Sequence, residues 1–220
     1  MRWETYTIRH ADWTTLEAEE ERLKARVREG LADACLLVSE PNPVYTGGLS
    51  SSPDDLLWGE AGSRARGIDV RRANRGGQWT YHGPGQVVLY PILRLETFGF
   101  ARRGAYRFVH RLRDAVTAYL ASVGVVAEDG DVPFGSYVQG KKIASFGIAV
   151  DRGVTSHGVA LYLTPQGDRL AGIHPCGQRA PRYTSLVECG IALDWEAASG
   201  ALAATAKEFL ITSKAGSVPN

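Results

Sequence analysis

The chain has 220 residues, 44% of them hydrophobic and 22% charged, with 25 Lys and Arg against 24 Asp and Glu for a formal charge of +1. That length supports one sizeable core, and the balanced charge excludes a global field drawing the protein to nucleic acid or to an anionic membrane. The start, Met1-Arg2-Trp3-Glu4, lacks the apolar core of a signal peptide, and no apolar run is long enough to span a membrane. Cys35, Cys176 and Cys189 are too few, and odd in number, for a disulfide framework, so a reducing cytoplasm is expected.

In chain order, residues 3–9 pattern as a strand, and Thr14-x-x-Glu17 has the form of a capping box. The helix it opens carries Leu16, Leu23, Val27 and Leu31 at near-helical spacing, with Gly30 near its end. Cys35 to Val38 is a short apolar run stopped by Pro41 and Pro43, a strand in which Cys35 acts as a small core residue. From Val44 to Arg66 the composition is loose and Gly/Ser-rich, which predicts a long loop, disordered or acting as a lid. Ile68 to Val70 returns to a strand pattern.

Arg75-Gly76-Gly77-Gln78-Trp79-Thr80-Tyr81-His82-Gly83-Pro84-Gly85 then runs into Val87–Leu93, an apolar stretch that reads as a buried strand. An amide-rich glycine loop held on a rigid sheet is a common place for binding and catalytic groups. Residues 104–123 repeat apolar positions at i, i+3, i+4 and i+7, with Gly124 at the expected C′ position. Arg102, Arg103, Arg107, Arg111 and Arg113 make this helix basic, either a solvated face or a patch for an acidic protein partner. Tyr137 to Val150 suggests a hairpin turning at Gln139-Gly140, Asp151-Arg152-Gly153 makes the next turn, and His157–Leu163 alternates as a further strand. A last helix is expected from Trp195 to Ile211. Strands interleaved with helices predict one α/β domain over 1–220.

Three groups carry chemistry. Cys176 lies between Pro175 and Gly177, in a turn where a thiol is either an exposed nucleophile or an inert surface group; thiolate character would need a nearby cation such as Lys142, His82, His157 or His174. Lys142 begins an apolar strand, where burial would depress its pKa, while Lys141 faces solvent. His82 stands in the glycine loop, and His157 starts a strand. His82, His157, His174 and Cys176 are ligand types for zinc, but no Cys-x-x-Cys pair exists and no metal is expected.

Arg75-Gly76-Gly77-x-x-Thr80-x-His82-x-x-Gly85-Gln86-x-x-x-Tyr90-Pro91, with Gly140-Lys141-Lys142-Ile143-Ala144-Ser145-Phe146-Gly147 and Pro175-Cys176-Gly177, resembles the octanoyl-(acyl carrier protein):protein N-octanoyltransferases, or lipoyl(octanoyl) transferases. The similarity runs from about Leu36 through Thr184-Ser185-Leu186. It implies the fold of the catalytic domain of biotin protein ligases and lipoate–protein ligases, an α+β mixed sheet flanked by helices. It also implies transfer of an octanoyl chain from octanoyl-acyl carrier protein to a lysine on lipoyl domains, those of 2-oxoacid dehydrogenase E2 subunits or the glycine-cleavage H protein, with no cofactor. Cys176 matches the family's acyl-thioester nucleophile and Lys142 the lysine paired with it. Arg75, Gly76, Gly77, Gln78, Trp79, Thr80, Tyr81, His82, Ser145, Phe146, Gly147, Ser156, His157 and Gly158 match its substrate-binding segments. Under that reading Phe146, Tyr81 and Tyr90 are expected walls of the acyl tunnel, and backbone N–H groups near His82-Gly83 the oxyanion donors. An ATP-dependent lipoate or biotin ligase on the same fold is the alternative; it needs no nucleophilic cysteine.

Overall fold

The structure is a computed structural model that describes residues 2–100, 104–131, 134–175 and 182–212. Two sheets organise these residues. The larger has seven strands: β1 (Trp3–Ala11), β2 (Ala34–Pro41), β6 (Gln86–Leu93), β10 (Val154–Tyr162), β9 (Lys141–Asp151), β8 (Phe134–Val138) and β7 (Glu128–Asp131), adjacent in that order. β1 and β2 pair in parallel across helix α1 (Trp13–Arg28), whereas the other named pairings of this sheet are antiparallel. The smaller sheet has the order β4 (Asp69–Arg72), β3 (Val44–Gly47), β5 (Trp79–His82). The fold class is therefore the expected mixed α/β arrangement.

Helices cover both faces of the large sheet. Leu36, Val38, Val87, Leu89, Val159 and Leu161 pack against α3 (Gly104–Ser122) and α4 (Trp195–Thr212). Cys35, Leu37, Val88, Tyr90, Ile92 and Ala160 turn the other way, onto Leu23 and Val27 of α1. Successive strand residues point to opposite faces, and here both faces are dry. That is why β2, β6 and β10 are buried at every position and why β10 does not alternate as its sequence suggests. Burial pushes the Cys35 thiol up to about 11, as its core role requires.

Local signals hold in part. Gly124 has φ +85 at the end of α3, and both hairpin turns use positive φ, at Gln139-Gly140 and Arg152-Gly153. The first helix starts two residues before its expected capping box: Asp12 is the N-cap and accepts from the Thr15 N–H at 2.8 Å. Leu31 lies beyond the helix end and is half exposed. The stretch 44–66 is not a long loop. Tyr45 of β3 is fully buried against Tyr81 and Trp58, and a 3-10 turn (Pro53–Asp55) and α2 (Gly59–Arg64) follow. Aromatic burial overrides a Gly/Ser-rich composition there. The basic helix is neither simply solvated nor a free patch: Arg111 donates to the Phe209 carbonyl and lies over its ring, and Arg113, buried, pairs with Asp129. Arg102 and Arg103 lie outside the described residues. Among the described residues no helix is long and apolar enough to cross a membrane.

Candidate active site

The two sheets meet around a cleft with about 530 Å³ of empty space, its open mouth included. The glycine loop lines it with Arg75, Gly77 and Gln78, and β5 with Trp79, Thr80 and His82. β8 and β9 contribute Phe134, Lys142, Ser145, Phe146 and Gly147; β10 contributes His157 to Ala160. Trp13, Val88 and Tyr90 complete it. Gly77, Gln78, Thr80, Ser145 and Phe146 retain exposure, whereas Trp13, His82, Val88, Tyr90, His157 and Ala160 are buried, so the latter form the deep wall.

Arg75 fixes the glycine loop. Its Nη2 donates to the Thr46 carbonyl (2.8 Å) and Oγ1 (2.7 Å), and its Nη1 to the Gly76 carbonyl (3.0 Å). The Gly76 N–H crosses to the Ile148 carbonyl at 3.0 Å, tying the loop to β9. Gly77 at φ +88 makes the turn that an ordinary side chain would strain.

Lys142 is buried, 3% exposed, while neighbouring Lys141 faces water. Its Nζ donates to the Phe134 carbonyl at 3.3 Å and lies over the Tyr137 ring. Its backbone is held on the other side: the Lys142 N–H donates to the Arg182 carbonyl (2.9 Å), and its carbonyl accepts from the Thr184 N–H (3.0 Å). Arg182 to Thr184 thus lie directly against Lys142. Cys176 and Gly177 lie outside the described residues.

The deep wall is built from aromatic and titratable rings. Trp13, the first residue of α1, lies near-parallel to His82 (centroids 6.5 Å) and to His157 (6.3 Å), and Tyr90 meets His157 edge-on. Burial, reinforced by the Arg75 guanidinium, lowers His82 to about 3; Gln86 Oε1, 3.4 Å from its Nδ1, opposes this weakly. Burial, with Arg75 and Lys24, likewise lowers His157 to about 3. Both rings are neutral at physiological pH, so this wall suits an apolar ligand better than an ionic one.

His157 reaches the wall by a break in the sheet. The register Val159↔Leu89 continues to His157 opposite Pro91, which has no N–H to give the ladder. Thr155 Oγ1 fills the gap beside it, donating to the Pro91 carbonyl (2.7 Å) and accepting from the Leu93 N–H (3.0 Å). Gly158 passes so close to β6 that a Cβ would stand 2.0 Å from the Leu89 carbonyl oxygen. His157 itself has φ +56, which swings its side chain away from the face of Val159 and Leu161 and onto that of α1. Its N–H donates to Glu20 Oε1.

Of the expected binding residues, Arg75, Gly77, Gln78, Trp79, Thr80, His82, Ser145, Phe146, Gly147, His157 and Gly158 line the cleft together with Lys142. Gly76 and Ser156 do not line it. Tyr81 is a correction: its ring packs with Tyr45, Ile68 and Ile173 under the small sheet rather than walling the cleft. Gly83 does not line the cleft either, and His82 lies in strand β5 rather than a loop. His174 is engaged elsewhere, with Asp55, and among the described residues no three His, Cys, Asp or Glu side chains form a metal site. Trp13, Val88, Phe134, Val159 and Ala160 line it without being among the expected residues. Trp13 and Glu20 carried a legible signal: positions 13, 16, 20, 23 and 27 form one helical stripe, and a carboxylate in its middle is out of place.

Residues 13–205 match the model of the lipoyl protein ligase A/B catalytic domain. An octanoyltransferase from Methylococcus capsulatus is 44% identical over 161 residues, 73% of this chain and 72% of the relative. Among solved structures, a bi-partite lipoate protein ligase from Thermoplasma acidophilum superposes with a TM-score of 0.74 at 16% identity, over 96% of this chain and 84% of that one. The biotin protein ligase of Aquifex aeolicus, in complex with biotin and ATP, gives 0.58 at 15% identity, over 97% and 73%. The chain belongs to the lipoyl protein ligase A/B catalytic family. Within that class it is an octanoyl-transferring enzyme of lipoate biosynthesis.

Proposed function

We propose that this chain, as a single catalytic domain, moves an octanoyl group from octanoyl-acyl carrier protein to a lysine of a lipoyl domain through a thioester on Cys176. In the first half-reaction the Cys176 thiolate attacks the donor's thioester carbonyl, and the carrier's thiol leaves. In the second, the acceptor's amine attacks the acyl-cysteine; the C–N bond forms, the cysteine sulfur leaves, and the amine surrenders a proton. Splitting the exchange between two macromolecules into two steps relieves the crowding of a direct transfer.

The observation that carries this reading is Lys142. A buried ammonium group on the cleft wall is rare unless it is used. The strand residues that follow the Cys176 segment clamp this lysine's backbone. Its roles would be to favour the thiolate as an ammonium, to give its proton to the departing carrier sulfur, and then, as the neutral amine, to accept the proton of the acceptor's amine. The neutral deep wall supports an octanoyl ligand, each buried CH₂ contributing about 0.8 kcal/mol. The likeness to ligases is one of fold, and octanoyltransferases are the 35–44% identical relatives, which favours acyl transfer over adenylate chemistry.

Intact mass spectrometry after incubation with octanoyl-acyl carrier protein tests the proposal. One octanoyl adduct, mapped to Cys176, absent in Cys176→Ala and discharged by a lipoyl domain without ATP, is expected. An undiminished adduct in the variant, or transfer that needs ATP, overturns it.

A further inference from the structure

Beneath the deep wall lies a carboxyl group that the transfer chemistry does not use. Glu20 is 4% exposed, in the stripe of α1 where Leu16, Leu23 and Val27 face the sheet. An ionised carboxylate buried among such groups is costly enough to take up a proton instead, and burial raises Glu20 from 4.5 to about 7.

Its two oxygens do different things. Oε1 accepts the His157 N–H, while the Pro91 carbonyl across the ladder is taken by Thr155 Oγ1. Oε2 stands 3.3 Å from His157 Nδ1, a buried ring nitrogen without a hydrogen-bond partner. The same ring is hydrogen-bonded to the Asn74 carbonyl at the entrance to the glycine loop. A neutral imidazole has one N–H. Given to Asn74, it leaves Nδ1 as an acceptor facing a second acceptor, a contact relieved when the carboxyl carries a proton and donates it to Nδ1.

We propose that Glu20 is a positioning residue of the acyl site: one oxygen fixes the backbone of His157, the other shares a proton with its ring, and the ring's remaining N–H is thereby aimed at the Asn74 carbonyl. Helix α1 is in this way coupled to the glycine loop through one side chain, which is itself part of the deep wall between Trp13 and Tyr90. The inference rests on that cleft receiving the acyl chain. The groups facing Glu20 are Lys24, Glu17 and Glu21 on its own helix, His157 from β10 and Tyr90 from β6, with Arg75 reaching the histidine from the loop. As pH rises past about 7 the shared proton leaves, two acceptors oppose each other, and the ring loses its hold.

The test compares Glu20→Gln with Glu20→Ala. Glutamine reproduces the protonated acid: its oxygen accepts the His157 N–H and its NH₂ donates to Nδ1. In the native enzyme KM for octanoyl-acyl carrier protein is expected to rise above pH 7. Glu20→Gln keeps the low-pH KM and makes it flat from pH 6 to 9. Glu20→Ala raises KM about tenfold at every pH, the equivalent of one buried hydrogen bond, with kcat little changed. The ¹⁵N signals of the His157 ring give a readout separate from turnover: the Nε2–H tautomer is expected in the native protein and in Glu20→Gln, and its loss in Glu20→Ala. If no octanoyl transfer occurs at all, the proposed reaction fails while the ring signals still judge Glu20. A native KM flat across pH, a Glu20→Gln protein that keeps the native rise, or ring signals unchanged in Glu20→Ala overturns the proposal. Should Glu20→Ala not fold, the Glu20→Gln profile against the native one decides alone.

Discussion

The two faces of the large sheet are cut from the same strands yet hold together differently. Toward α3 and α4 the packing is almost wholly hydrocarbon, with Leu36, Leu89, Leu112, Val116, Leu161 and Leu202 at its centre. Toward α1 the hydrocarbon is interrupted by Glu20, His82, His157 and Arg75, all buried. The first face stabilises by area alone and is indifferent to pH. The second gives up part of that stabilisation to hold neutral histidines and a protonated carboxyl against the cleft. Stability and binding are thus divided between opposite sides of one layer.

Substitutions on each side separate the two behaviours. Leu112→Ala, on the hydrocarbon face, is expected to cost about 4 kcal/mol, equally at pH 5 and pH 8, by chemical denaturation. A loss that varied with pH would break the contrast. Next comes Glu20→Gln. Because the folded protein raises this carboxyl, its stabilising contribution is complete below 4.5 and is lost as pH climbs through about 7. The native protein should therefore lose about 3 kcal/mol between pH 4 and pH 8 that the glutamine variant does not. His82→Gln probes the opposite sign. A histidine held neutral contributes fully above 6.5 and loses its contribution as pH falls toward about 3. Native stability should drop about 2 kcal/mol more than the variant's between pH 8 and pH 5. Smallest is Thr155→Val, which removes the hydroxyl that plugs the broken ladder; about 1 kcal/mol and no change in pH dependence are expected from thermal melts.

How much of this was legible in the residues follows the same division. Periodicity located α3, the apolar stretch located β6, and turn chemistry located both hairpins. The signature blocks around Arg75 and Lys142 converge on one cleft, as the family resemblance implied. What stayed hidden depends on contacts between distant segments. Nothing local says that Tyr45 and Trp58 will bury themselves and turn residues 44–66 into strand and helix. Tyr81 and His82 are adjacent, and only the pairing of β5 with β3 sends one under the small sheet and the other into the cleft. Glu20 broke the helical pattern in plain sight, but its meaning required knowing that His157 stands opposite a proline.

That proline, Pro91, has a wider consequence. Two neighbouring strands in the middle of a sheet would ordinarily zip shut along their whole length. Here one missing amide hydrogen leaves a stitch undone, and through that gap an imidazole escapes the fabric of the sheet to line a chamber. The opening is written into the covalent structure of the chain, so it needs no ligand to create it and no motion to reveal it.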